Sequence, residues 1–219
     1  MAIISLCSSK GGCGKTSLSI LIGTELAGYG YRIALLDCDI NQHASAFGEK
    51  CSVPGFQVVP DIGDASILPA LRTAEAKADV VIVDLAGETS KLNLKALHRS
   101  SFVLIPCQAS LPDVRDAVKT VAQVDEAQEL ARVNIARSLI WTRVLPGFES
   151  RSARHVRKTV EERGLPIFRS AMMERAAFRE MHLTGKTPRQ NDPNSSATAN
   201  IAAITNELLA NLEQLAKAA

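Results

Sequence analysis

Ser8-Ser9-Lys10-Gly11-Gly12-Cys13-Gly14-Lys15-Thr16-Ser17 follows directly on the apolar run Ala2-Ile3-Ile4-Ser5-Leu6-Cys7. A short strand that turns through glycines into a helix aims backbone N–H groups at an anion, and the helix dipole favours negative charge there. Gly11, Gly12 and Gly14 admit a close approach that a Cβ would obstruct. Lys15 can reach the β- and γ-phosphates of a nucleotide, and the Thr16 hydroxyl can ligate Mg²⁺. The phosphate-binding stretch is therefore Gly11, Gly12, Cys13, Gly14, Lys15, Thr16 and Ser17. It departs from the pattern G-x-x-x-x-G-K-[ST] in two ways. Ser9 stands where the first glycine belongs, and a second lysine, Lys10, precedes the paired glycines.

Outward from this loop, apolar runs alternate with helix-like segments. The runs are 2–7, 32–37, 56–60, 80–85, 102–106, 137–142 and 165–169. Helical patterning is clearest at 15–28, 111–131, 151–163 and 197–217. Val80-Val81-Ile82-Val83 and Ile33-Ala34-Leu35-Leu36 are apolar at every position, which predicts strands covered on both faces and hence a mostly parallel sheet. In such sheets ligands bind at the carboxyl ends of the strands. The polar segment 184–198 reads as a loop before the last helix.

The chain has 219 residues, 46% of them apolar, and a formal net charge of +2. That fits one α/β domain over 1–219 and is neither disordered nor strongly basic. Evidence of nucleic-acid binding has to come from local clustering. The five cysteines, at 7, 13, 38, 51 and 107, form no C-x-x-C pair, so a zinc site or a disulfide framework is not expected. Cys7, Cys38 and Cys107 read as small core residues. Cys13 lies at a helix N-terminus, which lowers thiol pKa values; the preferred reading is a small side chain that fits. With no leader-like N-terminus and no run of 18 apolar residues, a cytoplasmic protein is expected.

Nucleotide hydrolysis needs carboxylates at strand ends beside the phosphate loop. Leu36-Asp37-Cys38-Asp39-Ile40-Asn41-Gln42 supplies two and Val83-Asp84-Leu85-Ala86-Gly87 a third.

With these motifs in hand, the chain resembles the ParA/MinD superfamily of ATPases, whose deviant loop reads K-G-G-x-G-K-[ST]. The likeness is motif-specific over the first ~115 residues. It implies a single-domain P-loop NTPase fold: a mostly parallel twisted sheet with helices on both faces. Lys10 takes the place of the signature lysine, which reaches across an ATP-sandwiched homodimer. Residues 37–42 resemble the D-x-D-P-Q switch I segment, with Ile40 and Asn41 in place of the proline. On that match Asp39 activates water, Asp37 organises the Mg²⁺ shell, and Asp84 binds Mg²⁺ through water. Lys10, Lys15 and Asp39 form the catalytic set. Thr142 and Arg143 fall where the family contacts adenine. Residues 103–113 resemble a segment that shapes the dimer face, but Asp113 reads more simply as a first-turn helix acid.

The resemblance implies a slow ATP-to-ADP switch of DNA segregation, associated with the nucleoid when ATP-bound. Its partners would be non-specific DNA and a ParB-like protein carried on the cargo. Arg151, Arg154 and Lys158 share a helical face and are the candidate DNA contacts. Because the sequence opens at the loop, operator reading through an N-terminal helix-turn-helix is not expected. The alternative is a MinD-like or other positioning ATPase with membrane, T-DNA-transfer or protein-cluster cargo. The tail from Leu208 onward has leucines at helical spacing but one lysine and no aromatic, which suits packing better than a membrane. An iron–sulfur reductase needs a second cysteine after Cys107, and none follows.

Overall fold

The computed structural model describes residues 2–87 and 90–218; Met1, Glu88, Thr89 and Ala219 lie outside the description. Six strands form one sheet: β1 (Ala2–Leu6), β2 (Ile33–Asp37), β3 (Phe56–Val59), β4 (Val80–Asp84), β5 (Phe102–Cys107) and β6 (Ala136–Trp141). Every pairing is parallel, and the order is β3-β2-β4-β1-β5-β6. The chain moves out from β1 to β2 and β3, returns to β4, then crosses to β5 and β6. Strand order therefore reverses around β1, the position where open α/β sheets hold ligands.

Alternate side chains of each strand feed opposite cores. Ile3, Leu36, Val81, Val83, Val103, Ile105 and Leu139 face one way. On that side they pack against α3 (Ile67–Glu75), α4 (Lys91–Leu97), α5 (Leu111–Ala131) and α6 (Arg151–Glu162). Ile4, Leu6, Ile33, Leu35, Ile82, Leu104 and Ile140 face the other way. There they meet α1 (Lys15–Gly28), α2 (His43–Gly48), α7 (Ala176–Thr184) and α9 (Ser196–Ala218). The uninterrupted Ile/Val/Leu strands follow from this, since neither face meets water. The leucine stripe of α9 is spent the same way, with Leu208 fully buried and Leu209, Leu212 and Leu215 packed on the core.

The run at 165–169 does not become a seventh strand. Ile167 makes only an isolated parallel bridge to Leu139. Pro166 has no N–H to give, and the N–H groups of Arg169 and Ser170 go to the Glu207 carboxylate at 2.7 and 2.8 Å instead of a neighbouring strand. The expected loop at 184–198 contains one short helix, α8 (Pro188–Asn191), closed by a capping box between Thr187 and Gln190. Arg189 on α8 pairs with the buried Glu25 of α1 and lies 5.9 Å from the Tyr29 ring centre.

Helix starts divide into two kinds. Ser90, Ser110 and Ser150 cap α4, α5 and α6 with their hydroxyls. By contrast, α1 opens at Gly14 in the left-handed region (φ 96°) with no side-chain cap among the described residues, a lack it shares with α2, α3 and α7. Its first N–H groups are left for something other than the protein's own side chains.

Candidate functional site

The glycine loop joins β1 to α1 at the carboxyl end of the central strand. Gly12 (φ 74°) and Gly14 (φ 96°) need glycine for conformation alone. Gly11 does not: its φ is ordinary, and an added Cβ would meet no atom of the described residues within 4 Å. The space beside its backbone is open, which a ligand in close approach to the chain would require. Cys13 is buried, and its carbonyl accepts the Thr142 hydroxyl at 2.8 Å. Its thiol donates to the Lys10 carbonyl at 3.5 Å, so the small-residue reading of this cysteine fits. Cys7, Cys38 and Cys107 are core residues, as their neighbours in sequence imply.

Both lysines are engaged within the chain. The buried Lys15 ammonium donates to the Lys10 carbonyl at 3.1 Å. The Lys10 ammonium pairs with Asp113 at 2.9 Å. Ser17, one turn into α1, shares a hydrogen bond with His182 of α7 at 3.1 Å.

The strand-end acids arrive through register. Asp37 and Asp84 are direct partners across β2 and β4, and both are fully buried. Asp37 accepts the backbone N–H and the hydroxyl of Ser45, each at 2.8 Å, and the Asp39 N–H at 3.2 Å. It thereby anchors the start of α2 and the intervening loop. Asp84 accepts the Ser19 hydroxyl at 3.2 Å on one oxygen, while its second oxygen is buried and has no hydrogen-bond partner among the described residues. Burial pushes the Asp84 carboxyl up to about 7; Thr16 and Ser19 hydroxyls and the Lys15 charge pull down, and Asp37 pushes further up. A buried, under-satisfied carboxyl beside a second one is a setting that a divalent cation relieves.

Asp39 is turned into its own loop, accepting the Asn41 N–H at 2.9 Å and side-chain amide at 2.8 Å. Asn41, standing in the proline position, thus takes a specific role, and Ile40 is left 93% exposed.

Gly87 lies against the phosphate loop itself. A Cβ there would come 2.9 Å from the Gly11 nitrogen and 3.0 Å from the Lys10 carbonyl carbon. Backbone rests on backbone, so Gly87→Ala should force the two loops apart. We expect about tenfold weaker binding of a fluorescent ATP analogue, the scale of overpacking a close contact. Unchanged affinity would remove Gly87 from the site.

Thr142 and Arg143 follow β6. The Thr142 hydroxyl is committed to Cys13, and its N–H donates to the Cys107 carbonyl at 2.9 Å, so it fastens the loop. Arg143 is exposed, in the left-handed region (φ 53°). It lines a cleft of about 180 Å³ together with Gly14, Ser17, Met172, Arg175 and Phe178. Met172, Arg175 and Phe178 carry no signal in sequence; only the return of the chain past β6 brings them to the loop. The Arg175 Nε is buried without a hydrogen-bond partner among the described residues.

The basic helix is α6. Arg151, Arg154 and Lys158 are exposed on it. Arg154 contacts Glu149 at 3.5 Å, and Lys158 contacts Glu162 at 3.7 Å; Arg151 has no ion pair among the described residues. Arg157 instead lies 5.3 Å from the Trp141 ring centre. The patch lies on a different element from Lys10 and Lys15.

A family model described as VirC1 protein matches residues 1–218. The chain belongs to the VirC1 family. Among relatives of this VirC1-family chain, Protein ParA of Rhizobium radiobacter is 29% identical, the match covering 81% of each chain. The Chromosome-partitioning ATPase Soj of Thermus thermophilus is 25% identical, covering 96% of each. The fold is similar to that of Cyanothece McdA, with a TM-score of 0.81, 15% identity, and coverage of 95% of this chain and 99% of that one. The ParA/MinD resemblance read from the loop therefore holds, and so does the fold it implies. No helix among the described residues is long and apolar enough to cross a membrane.

Proposed function

We propose that this VirC1-family chain is a ParA-type ATPase of DNA segregation, a single ATPase domain over 1–219. One observation carries the reading. The ends of β1, β2 and β4 bring Lys15, Asp37 and Asp84 together under an uncapped helix start, with an Asp84 oxygen that has no hydrogen-bond partner among the described residues. An anion and a divalent cation together satisfy what the protein leaves open there. In this reading the α1 N–H groups and the backbone of Gly11, Gly12, Cys13 and Gly14 cradle the phosphates, and Ser17 keeps the helix start oriented. Lys15 exchanges the Lys10 carbonyl for the β- and γ-phosphates. The base of ATP or ADP takes the cleft beside Arg143, with Thr142 holding its wall.

Thr16, Asp37 and Asp84 would hold Mg²⁺, which when bound neutralises phosphate charge. Asp39 leaves Asn41 to orient the attacking water. Lys10 reaches the nucleotide of a second copy, completing a homodimer. The ATP dimer binds DNA without sequence preference through Arg151, Arg154 and Lys158, and therefore sits on the nucleoid within the cytoplasm. A cargo-bound, ParB-like protein accelerates an intrinsically slow hydrolysis, which resets the monomer.

The test is DNA binding with ATP, with ADP and without nucleotide, using Asp39→Ala to hold the ATP state, with lipid vesicles alongside. ATP-dependent binding to unrelated sequences is expected. Arg151→Ala/Arg154→Ala/Lys158→Ala should lower the slope of log K against log salt by about 2–3, near 0.9 for each phosphate that is no longer neutralised. Binding to vesicles and not to DNA would replace this reading with a membrane-positioning one.

A further inference from the structure

We propose that Asp113 is a positioning residue for Lys10: it holds that lysine against its own protomer, and pairing of two ATP-bound copies requires the contact to open. The inference rests on the reading of Lys10 as the residue that crosses to the second nucleotide. It adds the group that opposes the crossing.

Three features make the contact a releasable one. The Lys10 side chain is 41% exposed, whereas that of Asp113 is 7% exposed, so the lysine is the partner free to swing into water. The Lys10 backbone is not free. Its carbonyl accepts Lys15 and the Cys13 thiol, and its N–H donates to the Ser8 hydroxyl at 3.3 Å. Only the side chain moves. Asp113, for its part, is not stranded when Lys10 leaves. The Ser110 hydroxyl donates to its second oxygen, and it sits in the first turn of α5, where the dipole favours a carboxylate. A buried acid that loses its only partner resists separation; this one keeps two supports. The pair is therefore built to open at small cost, yet at 2.9 Å it competes with any phosphate offered from another copy.

The role is separable from helix capping. The cap of α5 is made by Ser110 accepting the Asp113 N–H, which any residue at 113 other than proline supplies. Asp113→Asn keeps shape and removes charge; Asp113→Glu keeps charge and changes shape. Each is followed, with the parent, by analytical ultracentrifugation in ATP and Mg²⁺, with melting curves to verify folding. ATP binding is titrated separately with a fluorescent analogue.

Asp113→Asn is expected to lower the dimer dissociation constant about threefold, the scale of a partly exposed ion pair. Asp113→Glu should stay near the parent. An unchanged or weaker dimer in Asp113→Asn would overturn the proposal. So would an equal or larger shift in Asp113→Glu, which would mark a purely structural role. If parent and variants all bind ATP and none associates, the reading of Lys10 falls and this inference with it.

Discussion

Asp84→Asn is expected to make the nucleotide-free protein more stable at pH 8, by about 2 kcal/mol, or some 4–8 °C in melting temperature. The reasoning begins from the orphaned oxygen. Asp84 is fully buried, one carboxylate oxygen has no hydrogen-bond partner among the described residues, and its neighbour across the sheet is another acid. Burial pushes its pKa from 3.8 up to about 7. The folded state thus holds the proton more tightly than the unfolded chain does. The stability this gives is fully present below the unfolded pKa and is lost as pH climbs from about 4 through about 7. Above that window the native protein carries a buried charge at a cost, which asparagine does not. The difference between variant and parent should therefore be small at pH 4.5 and full at pH 8, as read from urea melts. Equal or lower stability of the variant at pH 8 would mean that the attraction to Lys15 outweighs burial. Added Mg²⁺ and ATP should reverse the ranking, because only the parent can then use the charge.

Lys15→Ala should weaken ATP binding by at least ~100-fold, the equivalent of about 3 kcal/mol for a desolvated charge-assisted contact. The Lys15 ammonium is buried, fixed on the Lys10 carbonyl, and already draws the Asp84 charge toward itself. Removing it takes away the main counter-ion for the phosphates. It also takes from the buried Asp84 a charge that favours its carboxylate, so the free variant should be less stable than the parent at pH 8. Combining Asp84→Asn with Lys15→Ala should recover that stability but not the binding. Retained affinity in isothermal titration would show that backbone N–H groups alone hold the nucleotide.

Much of this is legible in the residues. A local motif declares itself locally: the glycines, Lys15, the strand before them and the helix after them lie within 28 residues. Asp37 and Asp84 are legible because each ends a run that is apolar at every position. What sequence withholds depends on distant pieces meeting. Asp113 looks like a first-turn acid because its lysine partner is 103 residues away. Gly87 reads as a turn glycine after a strand; that its backbone rests on Gly11 becomes visible only once β4 lies beside β1. Thr142 falls where the family contacts adenine, but its hydroxyl is taken by the Cys13 carbonyl. The run at 165–169 has the composition of a strand, and the Glu207 carboxylate diverts the donors that a ladder needs.

The pairing of Asp37 with Asp84 is fixed by the same register that sends Leu35 to one core and Leu36 to the other. A slip of one residue would turn every side chain of β2 inside out. The distance between the two acids is thus inherited from the interior, and surface substitutions have no purchase on it. What can vary around the two acids hangs from the strand tips: the Asp39 turn, the Gly87 contact and the Lys10–Asp113 pair. Substitutions meant to retune this site therefore belong in the loops, while the sheet holds the two carboxylates in place.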